Sequence, residues 1–553
     1  MATARTGTRN FQIRSNIDFT ELRSRLRSEH GHSDAEIAGA LTDIDKDLED
    51  CDAEVVRLQS RIISMQNQRR HLEEGKRRLE ECKACLRFLR SPIRKLPKEA
   101  LLRIFDFACG INEITSKKLS TMPTLSISGV CLRWRNLAQS YPILWSRIRI
   151  EMQTTPPNYP ILRLLNLYNE RSRNSPLTFE ITGPTDGCDP QPHHRALCTS
   201  IAAHSNRWQK LTVHEPKVFD ALVALNPRRL LMLEVLNIDS LFCDESSDFD
   251  MFENSPIRSL SVYAVSREMR ESKFPWKQLT QLDVAQHAEG MKTLLEASGK
   301  LTELRLREVD GKDYFQQCAI VPLLETLSLN LSQTSLSESL AEVAFSSMTC
   351  PSLTSLLIEA SNNYKGYKRI WPKESLHGFI SRSSFHLSTL SIKSIPLSDS
   401  NLIDLLRRLP SLLHLTIDDS KATRAASSTT PSPITPHLIQ SLHAFPDMSS
   451  VAVSSALAQK LQSLELTFSG SDFDEEGFVD MVSSRWLADH EPDGYGPLSP
   501  ETSLNSDVGT ACLRSIVLRL RNQKMDVKTY RPMKFLEKAG MRVVVVDKKS
   551  TMI

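Results

Sequence analysis

Cys82 and Cys85 form a Cys-x-x-Cys pair, the spacing by which two thiolates share a zinc ion or form a dithiol. A structural zinc needs four donors, and no second pair follows at ligand spacing. Cys188, His193, His194 and Cys198 offer four zinc-type donors within eleven residues. Their spacing fits no standard zinc pattern, and the Pro- and Gly-containing context reads as a solvated loop. No Gly-rich phosphate loop, Gly-x-Ser-x-Gly elbow or His-Glu-x-x-His helix occurs. The expectation is therefore a protein that is not an enzyme, with no catalytic residues, no metal and no cofactor. The chemistry left to this chain is binding, and the elements that would position a binding surface come next.

Composition narrows the partners. The net charge is +3, with 40% hydrophobic and 24% charged residues over 553 positions. This balance points to neither nucleic acid nor a membrane surface. The basic run containing Arg69, Arg70, Arg77 and Arg78 reads as a charged helix face. Eleven cysteines without a spaced framework fit a reducing compartment, so a cytoplasmic or nuclear location is expected. Residues 1–14 are polar and carry no secretory signal. The run Val543–Val546 falls far short of the ~20 apolar residues a membrane span needs.

Residues 1–32 read as a flexible tail with a short helical candidate near Phe19. A long helix begins at Ser33, where Ser33 and Glu36 form a capping box. Apolar residues then fall at Ile37, Leu41, Ile44, Leu48, Cys51, Val55, Leu58, Ile62 and Met65 in alternating steps of four and three. That heptad seam predicts a left-handed coiled coil over 33–91. Beyond Met65, Arg69, Lys76 and Lys83 alternate with Leu72, Leu79 and Leu86, and Pro92 stops the helix. Residues 34–54 are mostly acidic and 57–90 mostly basic. The order complements the helix dipole and suits antiparallel pairing of acid with base. A surface helix packed on its own protein and a self-associating arm both remain open.

The stretch 96–145 follows. Leu96-Pro97 opens a helix carrying Glu99, Leu101, Ile104 and Phe105. Val130-Cys131, Trp134-Arg135 and Leu137-Ala138 read as one later helix, with Val130, Trp134, Leu137 and Ala138 on a common face, and Pro142 and Leu144-Trp145 close the stretch. In this order the residues resemble an F-box. The link 110–126 is longer than the usual connector and contains Pro123. The resemblance implies docking on the Skp-type adaptor of a cullin–RING ubiquitin ligase, with Leu96 and Pro97 making the first contact. Leu101, Ile104, Phe105, Val130 and Trp134 would supply core and adaptor face.

After Ile148 and Ile150, which begin an extended region, a Leu-x-x-Leu-x-Leu pattern recurs. Its central residues are Leu211, Leu236, Leu260, Leu282, Leu304, Leu327, Leu356, Leu390, Leu415, Leu464 and Ile516. The intervals are 25, 24, 22, 22, 23, 29, 34, 25, 49 and 52 residues. The array resembles degenerate leucine-rich repeats, in which each unit gives a short strand and a return segment and units stack to bury their apolar sides. The last two intervals point to insertions. Residues 421–446, rich in Ser, Thr and Pro, and the acidic 489–507 read as disordered loops. Residues 533–540 read as a helix and 541–546 as a strand capping the array.

The fold class expected is α/β: a leucine-rich-repeat solenoid preceded by an all-α F-box module and a long coiled-coil helix. The domains are 1–32, 33–91, 92–150 and 151–553. The layout resembles the fungal F-box-like family. It implies a substrate receptor, joined through the Skp-type adaptor to a cullin and holding a target protein on the strand face. Glu303, Arg305, Thr326, Ser328, Thr389 and Ser391 sit at the outward positions of the motifs. The other reading is an interaction scaffold outside ubiquitin transfer.

Overall fold

The computed structural model describes residues 13, 15, 18–27, 33–115, 119–152, 161–183, 192–227, 229–238, 249–265, 267–286, 291–308, 319–332, 339–360, 371–419, 432–445, 457–470, 472–487, 511–547 and 551–552. The protein is mixed α/β, with a long N-terminal helix and a large parallel sheet. It divides into two units, Met1–Leu101 and Leu102–Ile553.

The first unit holds α1 (Phe19–Arg25) and α2 (Asp34–Leu89), the latter 56 residues long. Asp18 caps α1 by accepting from the Thr20 amide. Ion pairs at helical spacing line α2, among them Arg57 with Glu54 and Arg77 with both Glu74 and Glu81. Near its start the Ser15 amide donates to the Asp47 carboxylate at 2.7 Å. The seam is open to solvent: Leu41, Leu48, Val55, Ile62, Leu72 and Leu79 are all exposed. Cys82 and Cys85 are exposed on the same helix.

Helix α3 (Lys98–Ala108) runs across the division between the units. The second unit continues with β1 (Asn112–Glu113), α4 (Pro123–Val130), α5 (Leu132–Ser140), β2 (Arg147–Glu151), α6 (Ile161–Arg171), β3 (Leu177–Thr182) and α7 (Pro192–Ala202). The strands β4 (Trp208–Val213), β5 (Val235–Ile238), β6 (Ser259–Ala264), β7 (Gln281–Gln286) and β8 (Glu303–Arg307) follow. Then come β9 (Ala319–Ile320), β10 (Thr326–Leu331), β11 (Met348–Thr349), β12 (Ser355–Ala360), β13 (Thr389–Lys393) and β14 (His414–Asp418). Strands β15 (Ser463–Phe468), β16 (Ser515–Leu520), β17 (Arg542–Val546) and β18 (Thr551–Met552) complete the chain.

Among the described residues, sixteen of these strands form one sheet in chain order, interrupted only where β9 and β11 pair with each other apart from it. Every neighbouring pair in the large sheet is parallel except β17 with β18. The register puts the central motif residues in one row. Ile148, Phe179 and Leu211 lead through Leu236, Leu260, Leu282, Leu304, Leu327, Leu356, Leu390, Leu415 and Leu464 to Ile516 and Val543. All are buried. Successive side chains on a strand point to opposite faces, so a Leu-x-Leu step buries two and exposes one. The backbone just before each strand adds a second ladder: the amides of Thr280, Thr302 and Glu325 donate to the carbonyls of Arg258, Thr280 and Thr302 at 2.8–2.9 Å.

The helices Pro216–Ala224, Leu340–Ser347 and Arg531–Lys538 pack against β4, β10 and β17. Successive helices pack on one another, as where Phe345 stacks on Phe379 at 5.4 Å. Phe219, Phe249, Phe252 and Phe274 form another aromatic run.

The structure corrects four expectations. The single later helix is two: Cys131, extended at φ −161° and ψ 168°, separates α4 from α5, so Val130 does not share a helix with Trp134. The stretch 92–150, expected to be all-α, carries strand β1 within the link 110–126 and enters β2 at its end; the link also starts α4, where Pro123 fills a first-turn position that needs no amide hydrogen. Residues 192–202 are helical, with His194 and Cys198 buried, while Cys188 lies outside the described residues. Residues 436–441 form a helix too, with Thr435 as N-cap and Leu438 and Ile439 buried. The stretch 489–507 and residues 421–431 lie outside the described residues. The tail carries a helix, Arg531–Lys538, followed by β17.

Candidate functional site

The first candidate is the helical stretch around α3. Pro97 is exposed and its carbonyl accepts from the Leu101 amide at 3.2 Å, starting the helix. Leu96 is half-buried and Leu101 buried. Leu96, Pro97 and Leu101 belong to the first unit, and Ile104, Phe105, Val130 and Trp134 to the second. Phe105 is buried against the half-buried Trp134, ring centroids 4.9 Å apart. Ile104 and Val130 face solvent. Within the second unit the candidates divide into an inner pair, Phe105 and Trp134, and an exposed pair, Ile104 and Val130.

Two outer residues escaped the sequence reading. Phe107 is 89% exposed on α3 and Leu132 is 68% exposed at the start of α5. Phe107 stands three positions from Ile104, on the side of the helix opposite Leu101 and Phe105 in solvent exposure. The signal was present: an extra aromatic falls outside the Leu101–Phe105 periodicity.

Buried polar groups hold these helices in place. The Asn112 amide nitrogen donates to the carbonyls of Leu144 and Arg147 at 3.0 and 3.1 Å. Its oxygen accepts from the Thr124 amide at 3.2 Å and from the Tyr168 hydroxyl at 3.3 Å. Arg147 donates to the Cys109 carbonyl at 2.8 Å and pairs with Asp106. The Trp145 indole donates to the Ala138 carbonyl at 2.8 Å, and the Arg171 guanidinium lies 4.6 Å over its ring. Burial pushes the Tyr168 hydroxyl above its usual range and raises the Cys109 thiol.

The second candidate is the outward face of the sheet. One row reads Arg149, Glu180, Thr212, Asn237, Ser261, Asp283, Arg305, Ser328, Leu357, Ser391, Thr416, Glu465, Val517 and Val544. Charged residues pair near its ends: Arg149 with Glu180 at 2.9 Å, and Arg519 with Glu465. Arg307 reaches back to Asp283 at 2.7 Å. An open polar depression of about 220 Å³ lies where Asn237, Ser261, Gln281, Asp283, Glu303 and Arg305 converge.

The six residues expected on this face divide. Glu303 and Arg305 are exposed and border that depression. Thr326 and Ser328, paired with them in register on β10, are half-buried. Thr389 is half-buried on β13, and Ser391 is buried, its short side chain set between Leu357 and Thr416 in the row. Asn237, Ser261, Gln281 and Asp283 occupy the same outward motif positions, and that periodicity is the signal that finds them.

The arrangement is suited to hydrogen bonding with a polar partner. Among the described residues no cluster of His, Cys, Asp or Glu is placed to hold a metal ion, and no helix is long and apolar enough to cross a membrane. No protein-family model matches the chain, and no curated protein matches it.

Proposed function

We propose that this chain is a substrate receptor of a cullin–RING ubiquitin ligase. Its parallel sheet and covering helices are read as a leucine-rich-repeat solenoid. Its α3–α5 helices are read as an F-box that docks a Skp-type adaptor. The observation that carries the reading is the outward display of Ile104, Phe107, Val130 and Leu132 beside the buried Phe105–Trp134 contact. A small helical module that exposes large apolar side chains needs a partner to cover them. Leu96 and Pro97 would make the first adaptor contact. The outward sheet face, centred on Asp283, Glu303 and Arg305, would hold a target protein. No bond chemistry is required of such a receptor, because it acts by bringing the target close to a ubiquitin-loaded enzyme.

The test uses the full chain, because β1 and β2 tie the α3–α5 region into the sheet. Purified chain and Skp-type adaptor are co-chromatographed, beside Ile104→Glu and the double variant Leu96→Ala, Pro97→Ala. Co-elution lost in both variants supports the receptor. Failure of the folded wild type to bind favours a scaffold whose sheet face and long helix each bind a protein outside ubiquitin transfer.

A further inference from the structure

The exposed seam of α2 has a charge pattern that selects its partner. Acidic residues crowd the N-terminal half, with Asp43, Asp45, Asp47, Asp50, Asp52 and Glu54 between Leu41 and Val55. The C-terminal half places Arg69, Lys76 and Lys83 in the seam itself. In a parallel pair of identical helices each of these cations would meet its own copy in the same core layer. Like charges so placed are destabilising, and burial makes them more so.

Reversing one helix removes all three conflicts. Where Leu41 of one copy lies opposite Leu86 of the other, heptad spacing fixes the remaining layers. Leu48 then meets Leu79, Val55 meets Leu72, and Ile62 meets Met65. Arg69 falls opposite Leu58, Lys76 opposite Cys51 and Lys83 opposite Ile44. The residues flanking Cys51 and Ile44 are Asp52 and Glu54, and Asp45 and Asp47. Asp47 is buried and accepts from the Ser15 amide of its own chain, so Asp45 and Asp52 carry the pairing. The two-fold axis falls between Ile63 and Ser64. Such a surface is complementary to itself, the requirement of a closed two-fold interface.

We propose that α2 pairs with α2 of a second copy of this chain in an antiparallel coiled coil, with Leu41 opposite Leu86. The proposal does not depend on the ubiquitin-ligase reading. Light scattering on the full chain should give twice the 62.5 kDa chain mass. The variant Lys76→Glu, Lys83→Glu should weaken association at least tenfold while helix content by circular dichroism holds. Mixing it with Asp45→Lys, Asp52→Lys should restore a heterodimer, because each reversed pair then faces its opposite sign. Orientation is read from Leu48→Cys and Leu79→Cys chains in which all eleven native cysteines are alanine. Oxidation should crosslink the mixture as a 48–79 dimer and neither chain with itself. A monomer at tens of micromolar, self-crosslinking of either single-cysteine chain, or an unaffected charge variant would each overturn the proposal.

Discussion

The rings of Phe105 and Trp134 meet at 4.9 Å with their planes tilted by 58°. Phe105 comes from α3 and Trp134 from α5, so this one contact ties two separate helices together. Aromatic pairs in such tilted geometry add to the burial of the rings themselves. Replacing Phe105 by Ala should cost about 3–5 kcal/mol, as cavity-forming changes at buried aromatics do. Its neighbour Ile104 is exposed, and Ile104→Glu should alter stability by no more than ~0.5 kcal/mol. Urea midpoints for the two variants check the contrast; equal losses would place Ile104 in the core.

Asn112 is fully buried and bridges three segments through its side-chain amide. Substituting Ala removes the partner of the Thr124 amide and one partner each of the Leu144 and Arg147 carbonyls. Thr124 Oγ1 still donates to Leu144 at 2.8 Å. The expected loss is about 2–3 kcal/mol, since unmade buried hydrogen bonds carry the full desolvation cost. Thermal unfolding followed by tryptophan fluorescence, which includes Trp145, measures it.

Arg485 is buried completely on the helix Glu475–Leu487. Its guanidinium donates to the carbonyls of Leu442, Leu457 and Ala458, the last at 3.1 Å. Burial pulls its pKa down to about 10. Arg485→Ala should destabilise the protein by about 3 kcal/mol or more, because three carbonyls and a cavity are left behind. Arg485→Lys should recover part of this, since an ammonium satisfies fewer of the three acceptors. Denaturant titration of the three proteins decides.

Two buried thiols give a signature at alkaline pH. Burial pushes Cys198 up to about 11 and Cys350 up to about 12, from an ordinary 9.0. Below pH 9 native and unfolded thiols are both protonated, and their contribution is fully present. Above it the unfolded chain releases protons that the native state keeps, so stability falls as pH rises toward 11–12. Cys350→Ala should flatten that decline relative to wild type. Thiol labelling of the native protein should modify the exposed Cys82 and Cys85 quickly and spare Cys109, Cys198 and Cys350.

The sheet was legible because its signal repeats. A motif that buries Leu304 and Leu306 and exposes Arg305 needs only local alternation, and eleven occurrences align without reference to distant contacts. The long helix was legible for the same reason. Pro123 and Pro436 each open a helix, where a fixed φ is an advantage and no amide is missed, a signal hidden by the linker-like composition around them. The break at Cys131 had one faint sign, Gly129 just before it, which weakens a helix end. Strands β2 and β3 alternate as well as the others, but the steps from Ile148 to Phe179 to Leu211 exceed the repeat range. The buried roles of Asn112 and Arg485 were not legible, because their acceptors lie 27 to 43 residues away along the chain.

In the large sheet each strand is bonded to the strands that come just before and after it in that sheet's chain order. A tether pulling on the last strand therefore loads one strand pair at a time instead of shearing many together. Stretched between its ends, this unit should give way as a series of small extensions, each releasing one strand with its helix. Extensions from the β14–β15 and β15–β16 intervals should be roughly twice as long as those from β6 to β8, because about twice as many residues separate those strands. Amide exchange should follow the same gradient, fastest at the outer strands and slowest near β8 and β10.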